Sequence, residues 1–235
     1  AGDLLPQFAI STKIGFFPYG NGAAPSLDPA RLRQAVHESV DDLGVRPEVI
    51  FLHSPERTLA TLPPKQARDS LASACAVLTE AAATGLCGSW GITSWDPRPL
   101  LSTLRFSEDA PCLVPDILMV RAGLTVGSDI LDASEDVAAL MGVAANARWG
   151  MSPFGGGVHD EVWATTNIRT FLRPGQECSN LQATFRVAYD LPSVSQLAVG
   201  TNSATHLGEL ANATRLQVDA DTISRYRQLI RAERS

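Results

Sequence analysis

The sequence predicts an α/β fold, most of a TIM-type (β/α) barrel, on three observations. Short apolar runs of strand length alternate with longer stretches of helical period, the mark of a parallel sheet joined by crossover helices. Six such units can be read between the first residue and the last. No linker divides the 235 residues, a length that suits one barrel domain over 1–235. Closure of this fold takes eight strands, so six of eight units make an incomplete barrel.

The first strand is expected over residues 8–13, followed by a Gly-Pro-rich loop and a helix that starts at Asp28, an N-cap with Pro29 in the first helical position. Leu32, Val36, Val40 and Leu43 lie on one stripe of that helix. The second strand, 49–53, runs into the turn His53-Ser54-Pro55. A helix over 66–84 follows, with Leu71, Cys75 and Leu78 on one face and Gly85 at its end. The third strand, 86–93, precedes Ser94 and Asp96, either of which suits the cap of a short helix through Leu104. A fourth strand at 116–121 leads to a helix at 132–141. A fifth at 143–151 opens into the flexible loop 152–157, whose glycines let backbone approach a ligand. The sixth, 196–199, turns through Gly200-Thr201-Asn202-Ser203 into a helix start, and a final helix covers 222–231.

Hydrophobic residues make up 45% of the chain and charged ones 19%, enough apolar matter for a core. The net charge is -6 with no basic cluster, which argues against nucleic acid and anionic membranes, since both are held by Lys and Arg. No apolar run reaches the ~18 residues of a membrane span and no basic leader begins the sequence, so a cytoplasmic protein is expected. Cys75, Cys87, Cys112 and Cys178 are widely and irregularly spaced, as reduced core thiols rather than a metal site or a disulfide framework.

Folds of this class keep their chemistry at the C-terminal strand ends. Lys13 ends the first strand, where burial would be costly without an anion opposite; the alternative is an exposed lysine that snorkels to solvent. His53 ends the second, either as a hydrogen-bonded structural residue or as a donor to a substrate carbonyl. Tyr19, six residues past Lys13, is a candidate acid or a loop aromatic packed on a neighbour. His159 and Asp160 follow the Gly-rich loop as an acid and base or as solvated loop residues, and Trp95 and Trp149 suit a pocket wall or the core.

Ser11-Thr12-Lys13-Ile14-Gly15, then Ser39-Val40-Asp41-Asp42-Leu43-Gly44, then Phe51-Leu52-His53-Ser54-Pro55-Glu56 resemble the aldo-keto reductases in order and spacing. Gly91-Ile92-Thr93-Ser94, Met151-Ser152-Pro153-Phe154-Gly155 and Val199-Gly200-Thr201-Asn202-Ser203 are similar to later motifs of that family. The resemblance implies NADP(H)-linked reduction of a small carbonyl compound by a tetrad of Asp, Tyr, Lys and His. Lys13 and His53 match the last two, and no Asp and Tyr stand before Lys13 at the family's positions. Tyr19 is then a candidate replacement acid. The resemblance also implies cofactor contacts at Thr93, Ser94, Met119, Met151, Ser152, Phe154 and Gly155, and at Gly200, Thr201, Asn202, Ser203, His206 and Glu209. Ser94 stands where the family has Asn, Met119 where it has Gln and Met151 where it has Tyr. No metal is implied.

Three functions follow. The first is an aldo-keto-reductase-like oxidoreductase. The second is a non-redox dehydratase, cyclase or isomerase of secondary metabolism on the same scaffold. The third is a non-catalytic binding or assembly protein. An open barrel side has edges to cover, which predicts a homodimer or another partner.

Overall fold

The computed structural model describes residues 7–106, 114–158 and 161–233. In chain order the elements are β1 (Ser11–Ile14), β2 (Phe16–Tyr19), β3 (Gly22–Pro25), α1 (Pro29–Leu43), β4 (Val49–His53), α2 (Glu56–Leu59), α3 (Pro64–Ala83), β5 (Ser89–Ser94), α4 (Arg98–Arg105) and β6 (Ile117–Arg121). There follow α5 (Ser128–Leu140), β7 (Arg148–Met151), α6 (Glu161–Thr165), α7 (Asn180–Val187), β8 (Gln196–Ala198), α8 (Ala204–Ala213) and α9 (Ala220–Ala232). The fold is α/β, with a six-stranded sheet in the order β1-β4-β5-β6-β7-β8 and a separate two-stranded ribbon β2-β3. These six strands are the six read from the sequence, short of the eight that close a barrel.

Two compact units make up the chain: Ala1–Met119 with Val137–Val143, and Val120–Asp136 with Ala144–Ser235. In the first, β1 runs parallel to β4 with Lys13 opposite Phe51, and β4 runs parallel to β5 with His53 opposite Thr93. Strand β4 is buried along its apolar length, as two-sided burial in a parallel sheet requires. Asp28 caps α1, its side chain accepting from the Arg31 N–H at 2.9 Å, and Pro29 opens the helix as expected. Leu32 and Val36 of the stripe are buried, whereas Val40 and Leu43 near the helix end are half-buried. Helix α3 buries Leu71, Cys75 and Leu78 together with four further residues. Gly91 sits where a Cβ would lie 2.6 Å from both the Ile117 carbonyl oxygen and the Phe51 ring.

Several departures from the sequence reading lie in this unit: helix α2 was not foreseen, and the third strand covers Ser89–Ser94 rather than 86–93. The first strand covers Ser11–Ile14, because Phe8 is exposed and pairs with nothing in the sheet. The expected loop after it is instead an antiparallel hairpin, Tyr19 pairing with Gly22 around Gly20, whose φ is +55°. Two-residue Gly-Asn turns favour such a hairpin, and Pro18 and Pro25, which argue against strand, are tolerated in an isolated ribbon with open edges. Before α4 stands Pro97; Asp96 accepts from the Arg98 N–H at 3.1 Å and pairs with its guanidinium, while Ser94 caps nothing.

In the second unit β7 and β8 pair in parallel with Trp149 opposite Gln196. The fifth strand is shorter than expected, since Ala145–Ala147 form a 3-10 turn before it. Leu131, Trp163, Ile168, Ala183, Val187 and Leu191 belong to one buried cluster. Around it, Arg227 of α9 pairs with Asp132 and Glu135 of α5, and Ser128 donates to the Ile230 carbonyl at 3.0 Å. The final helix starts at Ala220 under an Asp219 cap that accepts from the Thr222 N–H at 3.1 Å. Helices α6 and α7 were not read from the sequence, although α7 carries a legible signal: Ser179 and Gln182 form a capping box.

Because the Gly91 site has no room for a methyl group, Gly91→Ala is expected to lower stability by about 1–3 kcal/mol, read as a fall in the urea midpoint at unchanged slope.

Candidate functional site

Parallel pairing brings Lys13, His53 and Thr93 to the C-terminal ends of neighbouring strands in the first unit. Lys13 is exposed, so its ammonium is solvated and the snorkelling alternative describes it. His53 is half-buried, its ring 4.6 Å from that of Phe16 in the hairpin. On the same Phe16 ring the Arg57 guanidinium lies 5.5 Å from the centroid. Burial holds the His53 pKa below the usual imidazole value, and the positive charges of Lys13 and Arg57 push it further down. The neutral imidazole therefore dominates at neutral pH, with one nitrogen free to donate and one to accept. Tyr19 is 77% exposed at the tip of the hairpin.

Three of the expected cofactor positions in this unit are closed. Thr93 and Ser94 have no exposed surface and Met119 has 4%. Thr93 is occupied by its neighbour strand: the Ser54 N–H donates to its carbonyl at 2.8 Å and to its hydroxyl at 3.3 Å. Ser94 turns toward Glu56, a buried carboxyl that the sequence reading passed over except as part of the His53-Ser54-Pro55-Glu56 motif. Glu56 Oε1 accepts the N–H groups of Trp95 at 2.8 Å and Asp96 at 3.4 Å. Its Oε2 and the Ser94 Oγ, both without solvent contact, make no well-formed hydrogen bond among the described residues. Burial pushes the Glu56 pKa above the usual carboxylate range, against the opposing pull of the Trp95 and Asp96 amides and of the nearby Ser94 hydroxyl. The carboxyl thus pins the turn after β5 to the start of α2. Trp95 on that turn is 43% exposed, and in the second unit Trp149 is half-buried.

In the second unit the Gly-rich loop is a formed turn. Ser152 has φ +59° and donates from its hydroxyl to the Gly155 carbonyl at 3.0 Å, while the Gly155 N–H returns to the Ser152 carbonyl at 3.0 Å. Gly155 itself has φ +65° and a Cβ there would lie 2.7 Å from the Thr125 hydroxyl, so only glycine fits. Phe154 stacks against Phe185 at 6.5 Å between centroids. A cavity of about 700 Å³ opens beside this turn. Ser152, Phe154 and Gly155 line one wall, Gly200, Thr201 and Asn202 a second, and His206 and Glu209 of α8 a third. Leu181 and Gln182 of α7, which were not foreseen, also line it. Ser203 does not line the cavity but caps α8, its hydroxyl accepting from the His206 N–H at 3.3 Å. Met151 ends β7 half-buried and outside the lining.

His159, Asp160 and Cys112 lie outside the described residues. Cys75 and Cys87 are buried, with burial pushing the Cys75 thiol up to about 12, whereas Cys178 is only half-buried and is not a core thiol. Among the described residues no group of three His, Cys, Asp or Glu side chains is placed to hold a metal ion. No described helix is long and apolar enough to cross a membrane.

The sequence model described as the Aldo/keto reductase family matches residues 5–111, the segment that holds Lys13, His53, Thr93 and Ser94. That match covers less than half of the chain, and the fold is that of the solved aldo-keto reductases it resembles. Among solved structures it resembles an aldo-keto reductase from Klebsiella pneumoniae in complex with NADPH, at 13% identity, 97% coverage of this chain, 72% of that one, and a TM-score of 0.65. The holo form of an aldo-keto reductase from Bacillus halodurans gives 16% identity, coverage of 96% and 73%, and a TM-score of 0.64. An aldose reductase from Giardia lamblia gives 13%, coverage of 94% and 71%, and 0.63. No curated protein matches the sequence. The family match stops ahead of β6, so the cavity of the second unit rests on fold and geometry.

Glu56 supplies a pH test. A folded pKa raised above the unfolded value means that the native state holds its proton longer, so the contribution of this group to stability is complete below the unfolded pKa and is lost as pH rises through the raised one. Glu56→Gln, which mimics the protonated acid, is expected to flatten that descent in urea denaturations across the acid-to-neutral range. Glu56→Leu, which removes the carboxylate oxygen that accepts from the Trp95 and Asp96 amides, is expected to cost about 1–3 kcal/mol at every pH.

Proposed function

We propose that the chain is an aldo-keto-reductase-type oxidoreductase that reduces a small carbonyl compound with a nicotinamide nucleotide, and that the cavity of the second unit receives the adenosine end of that nucleotide. The observation that carries this reading is the lining of the cavity. Eight of the thirteen positions expected to touch a cofactor, drawn from two segments about fifty residues apart, 152–155 and 200–209, meet around one hollow. The residues suit the adenosine half of the group. Glycines at 155 and 200 let phosphate oxygens come close to backbone amides, Phe154 offers a flat apolar wall, and Asn202 and His206 offer polar side chains. A bound nicotinamide supplies the hydride. What this chain adds at the carbonyl is a neutral imidazole at His53, fit to donate a hydrogen bond to the carbonyl oxygen, beside the positive charge of Lys13. Tyr19, on the exposed hairpin tip, is proposed as the proton donor only in so far as a substrate orders that ribbon.

A non-redox reading has its own support. Thr93, Ser94 and Met119, which the resemblance assigns to the nicotinamide end, are sealed, and His53 is equally suited to moving a proton in a dehydration or isomerisation.

Titration of the full chain with pyridine nucleotides, followed by tryptophan fluorescence and by carbonyl-dependent loss of nicotinamide absorbance, separates the two. Binding with consumption supports the reductase, whereas turnover of a substrate with no change in nicotinamide absorbance supports the other. Under either reading His53→Ala is expected to lower kcat by about 10²-fold or more, with no comparable loss of nucleotide affinity. Gly156, where an added Cβ meets nothing within 4 Å, lines the same cavity. Gly156→Phe is therefore expected to weaken nucleotide binding by about tenfold or more while leaving the thermal midpoint nearly unchanged.

A further inference from the structure

The charges around the cavity are unusual for a site that takes a 2′-phosphorylated nucleotide. A phosphate monoester brings up to about two negative charges and is ordinarily met by Arg or Lys, whereas a ribose with a free 2′-hydroxyl is met by a carboxylate that accepts from it. Among the described residues no Lys or Arg lines this cavity, and the titratable side chains that do are His206 and Glu209. Three arginines of the second unit are ion-paired: Arg186 with Asp190, Arg227 with Asp132 and Glu135, and Arg231 with Asp132. Glu209 lies one turn after His206 on α8, exposed, and Gln182 of α7 donates to its backbone carbonyl at 3.3 Å, which holds that turn of α8 against the cavity wall.

We propose that this cavity selects a 5′-phosphorylated nucleoside with a free 2′-hydroxyl, Glu209 accepting from the ribose and rejecting a 2′-phosphate, so that the chain prefers NADH to NADPH. The inference rests on the nucleotide reading above and reverses the NADP(H) expectation drawn from family resemblance. Glycines and small polar groups on two walls leave room for the 5′-phosphates, whose charge falls on backbone amides rather than on side chains. The carboxylate stands against the other end. A 2′-phosphate brought to the same wall would add like charge to like.

The test is a set of binding isotherms on the full chain, by calorimetry or tryptophan quenching, at a pH above the histidine range. The four probes are NADH, NADPH, 5′-ADP and 2′,5′-ADP. NADH is expected to bind at least about tenfold more tightly than NADPH, and 5′-ADP more tightly than 2′,5′-ADP by a similar factor. Glu209→Lys should reverse both ratios, and Glu209→Gln should narrow them without reversal. Wild-type protein that binds NADPH as well as or better than NADH overturns the inference while leaving the nucleotide reading intact, as does a Glu209→Lys variant with unchanged ratios. Failure of all four probes to bind overturns the nucleotide reading and the inference with it. If NADH binds wild type and Gly156→Phe alike, the site lies elsewhere and the assignment to Glu209 falls. A difference between the NADH and 5′-ADP affinities tells whether a whole dinucleotide or a mononucleotide is the source of the adenosine, and either result with the stated 2′ preference supports it.

Discussion

Parallel strand pairing is the constraint from which the rest of the site follows. Strands that run the same way must be joined by crossovers, and in each unit their C-terminal ends fall on the same edge of the sheet. Lys13, His53 and Thr93 are neighbours for that reason alone, though forty residues separate the first two. The same rule puts the turns after β7 and β8 side by side in the second unit, where they wall one cavity. Close approach enforces the pairing. Gly91 in β5 leaves no space between its backbone, the Phe51 ring and the Ile117 carbonyl.

The strand ends differ in how they meet solvent. In the first unit the polar residues split into exposed and buried sets: Lys13 stands in water, while Thr93, Ser94 and Glu56 lie inside. Glu56 makes the difference, because an acid that accepts two backbone N–H groups fixes the turn after β5 and draws Ser94 inward. His53 occupies the boundary, half-buried, tilted against the Phe16 ring, and kept neutral by burial and by adjacent cations. In the second unit the glycines at 155 and 200 keep the turns free of side chains, so the cavity remains open down to the backbone. The first arrangement suits proton transfer or carbonyl polarisation, and the second suits holding a phosphorylated group.

Much of the fold was legible because it depends on local composition. Asp28-Pro29 caps and opens a helix in any context, and the apolar run at 49–53 bounded by His53-Ser54-Pro55 reads as a buried strand. The hairpin was missed because Pro18 and Pro25 speak against strand, and an isolated ribbon tolerates them only because its outer edges are unpaired. Helix α7 was missed although Ser179 and Gln182 spell its capping box. Of the candidate site, the cavity positions on the Gly-rich turns could be named from motif order. That Ser203 caps α8 rather than facing the cavity could not, since both roles use the same hydroxyl at the same helix start.

By itself the sequence determined the alternation of elements, the six strands, the caps and the polar residues at the strand ends, because each follows from propensity and pattern within a short window. Tertiary structure decided exposure and electrostatics. Whether Lys13 is solvated, whether Ser94 is open to a ligand, and whether an arginine or a carboxylate lines the cavity of the second unit depend on which distant side chains arrive at the same place. Burial and Coulomb interaction are properties of three-dimensional neighbours, and no local window contains Glu56 and Trp95 together, or Phe154 and Glu209.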